Sequence, residues 1–167
     1  MKNEEFIERR IITGMIISTE YLQRIQPFWD ATLLESTEFR KVATWCMEYF
    51  NKYKRAPDAD IESIFVDHIK TLPKADVAYI EDVLSDLSDE YGRGTQFNAA
   101  YLYDKTVEYF KGRQIDRHNE EVQGLIEMGK VTEAELLAQS YQPTIVETMS
   151  VGLDLSGRDA LQRIEEA

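Results

Sequence analysis

The chain has 167 residues, 43% of them apolar, with 19 Lys and Arg set against 31 Asp and Glu for a formal net charge of -12. That is length enough to bury a core in one domain, or in a domain with a short appendage. The acidic excess argues against gripping a phosphate backbone, because direct nucleic-acid binding needs a positive face that displaces counterions. One cysteine, Cys46, excludes an internal disulfide, no stretch is apolar for the roughly twenty residues a membrane span needs, and no secretory leader is evident, so a cytoplasmic protein is expected. Helix formers dominate and only 8 Gly and 4 Pro interrupt them, which favours an all-α fold.

The first element is helical. Ile7, Ile11, Met15, Leu22 and Ile25 recur at three- and four-residue steps, and "IITGMIIS" carries adjacent isoleucine pairs that no alternating strand would hold. Gly14 costs about 1 kcal/mol in a helix interior relative to alanine, so its presence predicts another helix crossing close by. Ser18 and Thr19 are good N-caps for a short second helix that Pro27 ends.

After "PFWDATLLES" a helix from 36 to 54 places Phe39, Val42, Ala43, Cys46, Phe50 and Tyr53 on one face. Cys46 in that stripe reads as a small buried hydrophobe rather than a reactive thiol. The loop "RAPDAD" offers Asp58 or Asp60 as the cap of a helix bearing Ile61, Ile64, Phe65, His68, Ile69 and Leu72, which Pro73 stops. A further helix turns Val77, Ile80, Leu84 and Leu87 inward, with Glu81, Asp82, Asp86, Asp89 and Glu90 on a solvated side. The glycines of "GRGTQF" mark a subdomain boundary.

Asn98 can cap a long helix reaching Met128, with Gly129 at the C′ position. Thr132 and Glu135 then have the spacing of a capping box, and Val131 and Leu136 that of a hydrophobic staple, which predicts a new helix from Glu133. The pair forms an αα-hairpin. Its stripe of Val107, Phe110, His118, Val122, Leu125 and Leu137 is wider than one short helix can cover, which suggests a self-association or partner surface. Beyond Pro143 the pattern weakens into a linker, and "RDALQRIEEA" opens a helix, capped by Ser156, that the chain end cuts off; truncation from something longer is expected.

The sequence holds no familiar catalytic or metal-binding pattern. "GLDLSGRD" has P-loop glycine spacing, but Arg158 stands in the place of the phosphate-reaching lysine and Asp159 in that of the magnesium-holding hydroxyl. Two histidines, His68 and His118, and one cysteine make no zinc set of familiar spacing. There is no Glu-x-x-His pair, EF-hand loop or nucleophile elbow, and Asp86 with Asp89 reads as a helix end rather than an acid/base pair. No catalytic, cofactor-binding or metal residues are therefore expected, and the chain is not expected to be an enzyme by itself.

The order of elements resembles the N-terminal domain of DnaB-type replicative DNA helicases, particularly the phage and prophage versions, over nearly the whole chain. The resemblance lies in "ERRIITGMIISTEY", an acidic residue ahead of an apolar run with a central glycine. It continues through "STEFRKVATWCMEYF", "RAPDADIESIFVDHI" and "NAAYLYDKTVEYFKGRQI". It implies an orthogonal helical bundle followed by a long hairpin. Such hairpins pair between subunits as a collar on a hexameric ring, and the domain docks primase or a helicase loader. Family members continue into a RecA-like ATPase motor; ATP and magnesium belong to that motor and are not expected in this chain.

The expected organisation is thus a bundle over 1–94, the hairpin over 95–142, and a linker with the start of a truncated helix over 143–167. Val107, Phe110, Val122, Leu125, Leu137 and Tyr141 are the expected hairpin-interface residues, weighed against a role in the chain's own core. The expected partners are other copies of the chain, as dimer or hexamer, and primase or a loader, without nucleic acid or membrane. The rival reading is a free-standing acidic phage regulator that imitates DNA with its carboxylates.

Overall fold

A computed structural model of the chain describes residues 2–91 and 97–145. The glycine linker of "GRGTQF", the P-loop look-alike and most of the expected terminal linker and helix lie outside the described residues. Among those described, the protein is all-α: seven α-helices, three short 3-10 turns and no strand. The helices are α1 (Lys2–Ile17), α2 (Thr19–Ile25), α3 (Thr37–Tyr53), α4 (Asp60–His68), α5 (Lys74–Tyr91), α6 (Ala99–Glu127) and α7 (Val131–Gln139).

Most of the punctuation acts as its chemistry dictates. Ser18 caps α2 by accepting from the Tyr21 N–H at 3.1 Å, Ser36 caps α3 through Phe39, and Asn98 caps α6 through Tyr101. Pro27 and Pro73 stand where α2 and the segment after α4 give way. The cap of α4 is different. Its N-cap is Ala59 with no side-chain hydrogen bond, and Asp58, at φ 51°, closes the turn through its carbonyl, which accepts from the Ile61 N–H. Neither aspartate caps that helix with its carboxylate.

The chain divides into two compact units, 1–115 and 116–167, so the division falls inside α6 and not at the glycine linker. The reason is legible in α6 itself. Ala99, Leu102, Tyr103, Thr106, Val107 and Phe110 are buried along its first half, which makes that half part of the first unit's core.

In the first unit α1 is closed off along Ile11, Ile12, Met15 and Ile16 and packs on α3, whose Phe39, Val42, Ala43, Cys46 and Phe50 are buried. Fully burying side chains of this size stabilises by about 1.5–3 kcal/mol each. α3 is inward on more than one side, because Trp45 is also buried and stacks on the His68 ring at 4.5 Å. Tyr53, expected inward, is 52% exposed at the helix end. On α5 the buried residues are Ile80, Val83 and Leu87, while Glu81, Asp82, Asp86, Asp89 and Glu90 are exposed as a solvated face.

At Gly14 the first unit packs too closely to admit a Cβ. A Cβ there would stand 2.6 Å from Leu102 Cδ2 and 2.9 Å from both Phe97 Cζ and Tyr21 Cδ1. The glycine is kept because α6 and the residue before its cap rest directly on the α1 backbone, as the cost of a mid-helix glycine predicts.

Candidate functional site

The buried polar groups of the first unit form a lock rather than a reaction centre. Glu8 is 1% exposed, and its carboxylate accepts from the backbone N–H groups of Glu35 at 2.6 Å and Ser36 at 3.0 Å and from the Tyr109 hydroxyl. Burial, then the bond to Glu8, pushes the Tyr109 phenol well above its ordinary range. The carbonyls of the same segment are satisfied by arginines: Arg40 Nε donates to Leu34 O at 2.6 Å and Arg113 Nε to Leu33 O at 2.9 Å. One carboxylate therefore ties α1, the turn before α3, and α6 together, with the backbone groups of that turn paired as buried groups require. Nearby, Tyr21 donates to Thr106 Oγ1 at 2.6 Å, and Thr106 passes its own proton to Leu102 O at 2.7 Å.

Other groups that could carry chemistry are quiet. Cys46 is wholly buried, and burial drives its thiol far above the usual range, which suits packing and not nucleophilic attack. His68 has its Nδ1 at 2.8 Å from Ile64 O. A cleft of about 340 Å³ lies among Phe6, Arg9, Arg10, Thr13, Tyr91 and Phe97. Arg9 is already committed to Asp86 at 2.5 Å, and Arg10 sits over the Phe6 ring. Among the described residues no three His, Cys, Asp or Glu side chains gather as a metal site, and no helix is long and apolar enough to cross a membrane.

The six expected interface residues separate into two groups. Val107 and Phe110 are 5% and 0% exposed inside the first unit, where the Phe110 ring lies 5.4 Å from Trp29 and 6.4 Å from Phe28. They are core residues, because the segment after α2 turns its aromatic rings onto that half of α6. Val122, Leu125, Leu137 and Tyr141 belong to the second unit and are half-buried there, and the Tyr141 ring lies 5.0 Å from that of His118, whose Nε2 is buried without a hydrogen-bond partner.

The connection between α6 and α7 corrects the expected capping box. Lys130 donates its N–H to Leu125 O at 2.8 Å and Gly129 its N–H to Ile126 O at 2.9 Å, with Gly129 at φ 76°, the paired bonds of a Schellman stop. The Lys130 carbonyl in turn accepts from Ala134 at 2.9 Å, so Lys130 itself is the N-cap of α7 and no side chain caps it. Thr132 is thereby inside the helix. With the cap at Lys130, the staple positions fall on Gly129 and Ala134, and the pair expected there is displaced.

Displacement leaves apolar side chains in water. Val131 is 62% exposed and Leu136 63%, joined by Met128 at 63% and Ile126 at 46%. The sequence pattern alone does not mark these four as a surface. The signal that could have found them is the choice between Lys130 and Thr132 as cap, since a Schellman stop at Gly129 uses Lys130 and starts the next helix at once.

Compared with protein-family models, with curated proteins and with solved structures, the chain matches none.

Proposed function

We propose that this chain is the N-terminal assembly and partner-docking domain of a DnaB-like replicative helicase, acting through surfaces and not through chemistry. The observation that carries the surface half of this reading is the apolar side chains left in water around the α6–α7 connection, a feature that marks interaction sites when the residues are grouped rather than scattered. The family half rests on the resemblance of the sequence segments and on the order of helices.

In this reading the half-buried stripe of Val122, Leu125, Leu137 and Tyr141 sets subunit pairing, and exposed surfaces recruit primase or a loader. Sedimentation velocity of the 167-residue chain tests the pairing. Concentration-dependent association that the Val122→Ser/Leu125→Ser variant abolishes is expected, whereas a strict monomer at every concentration would overturn it. The family assignment has its own check in the gene. A P-loop lysine motif encoded downstream of Ala167 is expected, and a stop codon there would instead favour the acidic-regulator reading.

A further inference from the structure

The four exposed apolar residues are concentrated. Ile126 lies in the last turn of α6, Met128 begins the connection, Val131 is the first residue of α7 and Leu136 follows in its second turn. Nine large apolar side chains of the described residues are this exposed, and these four fall within eleven residues while the rest are spread from Phe6 to Ile115. Single exposed residues need no explanation, but a group at one end of a helix pair does.

Charge decides what can cover them. Glu127, Glu133 and Glu135, all exposed, interleave with the apolar four in the sequence, and among the described residues no lysine or arginine is paired with any of them. Between 126 and 136 these three carboxylates are accompanied by a single basic residue, Lys130. A second copy of the same tip would bring like charges together, and the segment 146–167, with five carboxylates against Arg158 and Arg163, is acidic as well. Both occupants are disfavoured electrostatically.

We propose that the α6–α7 connection docks a basic amphipathic segment of another protein, one that lays an apolar stripe on Ile126, Met128, Val131 and Leu136 while its lysines or arginines meet Glu127, Glu133 and Glu135. This deepens the partner-docking half of the proposed function by naming the chemistry of the partner, and it uses residues separate from the stripe assigned to subunit pairing. Amphipathic helices seat on exposed apolar surfaces through such anchors, with flanking charge setting selectivity and encounter rate.

The test is fluorescence anisotropy of the full chain with labelled short helical peptides of leucine and lysine, and with matched peptides whose lysines are replaced by glutamine or by glutamate. The lysine peptide is expected to bind roughly ten-fold or more tighter than the glutamate peptide, with the glutamine peptide between them and the preference shrinking at high salt. Met128→Ser/Val131→Ser/Leu136→Ser should remove binding while leaving the circular dichroism and melting of the chain unchanged. Glu127→Gln/Glu133→Gln/Glu135→Gln should erase only the lysine preference and the salt dependence. No binding of the lysine peptide, equal binding by the serine variant, or equal binding of the glutamate peptide would overturn the proposal.

Two further outcomes would overturn it in favour of another occupant. Nuclear Overhauser contacts from the Val131 and Leu136 methyls to 146–167 in the free chain would assign the surface to the chain's own tail. A dimer lost specifically in the serine variant would assign it to a second copy. If the peptides fail to bind while association through Val122 and Leu125 persists, the docking proposal falls and the assembly reading stands.

Discussion

In the first unit Ile11, Ile12, Met15, Tyr21, Leu22 and Phe110 are closed off from solvent, and the buried Glu8 and Thr106 are paired on every side described. In the second unit Ala134 is buried, yet Ile126, Met128, Val131 and Leu136 keep 46 to 63% of their surface in water. Both units are helical and draw on the same residue types. What differs is whether the apolar residues have partners in their own unit. Exposed apolar surface is thus denser in the second unit, with four side chains within eleven residues against five spread over the first, the division expected of a scaffold that carries a recognition element.

The most severe way to break the first unit is to remove its lock. Glu8→Ala strands the N–H groups of Glu35 and Ser36 and the Tyr109 hydroxyl, and a loss of about 3–5 kcal/mol in urea unfolding is expected. Glu8→Gln, which keeps an acceptor oxygen, should recover part of it.

Alkali attacks the same unit by another route. Cys46 and Tyr21 are held protonated by burial, so their folded pKa values lie above the ordinary 9.0 and 10.0. Well below pH 9 both are protonated folded or unfolded, and stability does not depend on them. As pH rises past those ordinary values the unfolded chain alone releases the protons, and stability falls with a slope approaching about 1.4 kcal/mol per pH unit for each group. Denaturant midpoints flat to pH 8.5 and declining beyond it are the expected record.

A subtler blow is Gly14→Ala. The added methyl would meet Leu102, Phe97 and Tyr21 closer than van der Waals contact allows. Overpacking outweighs the roughly 1 kcal/mol gained in helix propensity, for a net loss of about 1–2 kcal/mol. Trimming the obstacle should make the effects non-additive, so the Gly14→Ala/Leu102→Ala double variant is expected to lose less than the two single losses together in the same unfolding assay. The smallest effect belongs to the second unit. Leu136→Ser and Val131→Ser should each stay within about 0.5 kcal/mol of the parent melting stability, and a large loss would mean those side chains are covered after all.

Helix existence was legible because it rests on local information: the 3.6-residue period of the apolar positions and side-chain caps at Ser18 and Asn98. Gly14 was legible for the same reason, since a costly glycine in a buried helix demands a close neighbour. The Glu8 lock was not, because its partners lie in α6 and ahead of α3, and one acidic residue beside an apolar run carries no record of distant backbone groups. The exposure around Val131 is hidden in the sequence by competition between two local signals, a capping box at Thr132 and a glycine stop at Gly129, of which the stop prevails. Val107 and Phe110 continue the same stripe as Val122 and Leu125, and the period alone cannot say where along a 29-residue helix the covering partner changes.

The lock on α1 also bears on the order in which the protein can be completed. Tyr21 waits for a partner 85 residues further along the chain and Glu8 for one 101 residues further. During synthesis α1 therefore emerges with a carboxylate and a bare glycine face, and α2 with a phenol, whose full set of partners waits for α6. Of the described helices α1 is made before the others yet completed only when α6 arrives, and until then its isoleucine-rich surface is open to other chains.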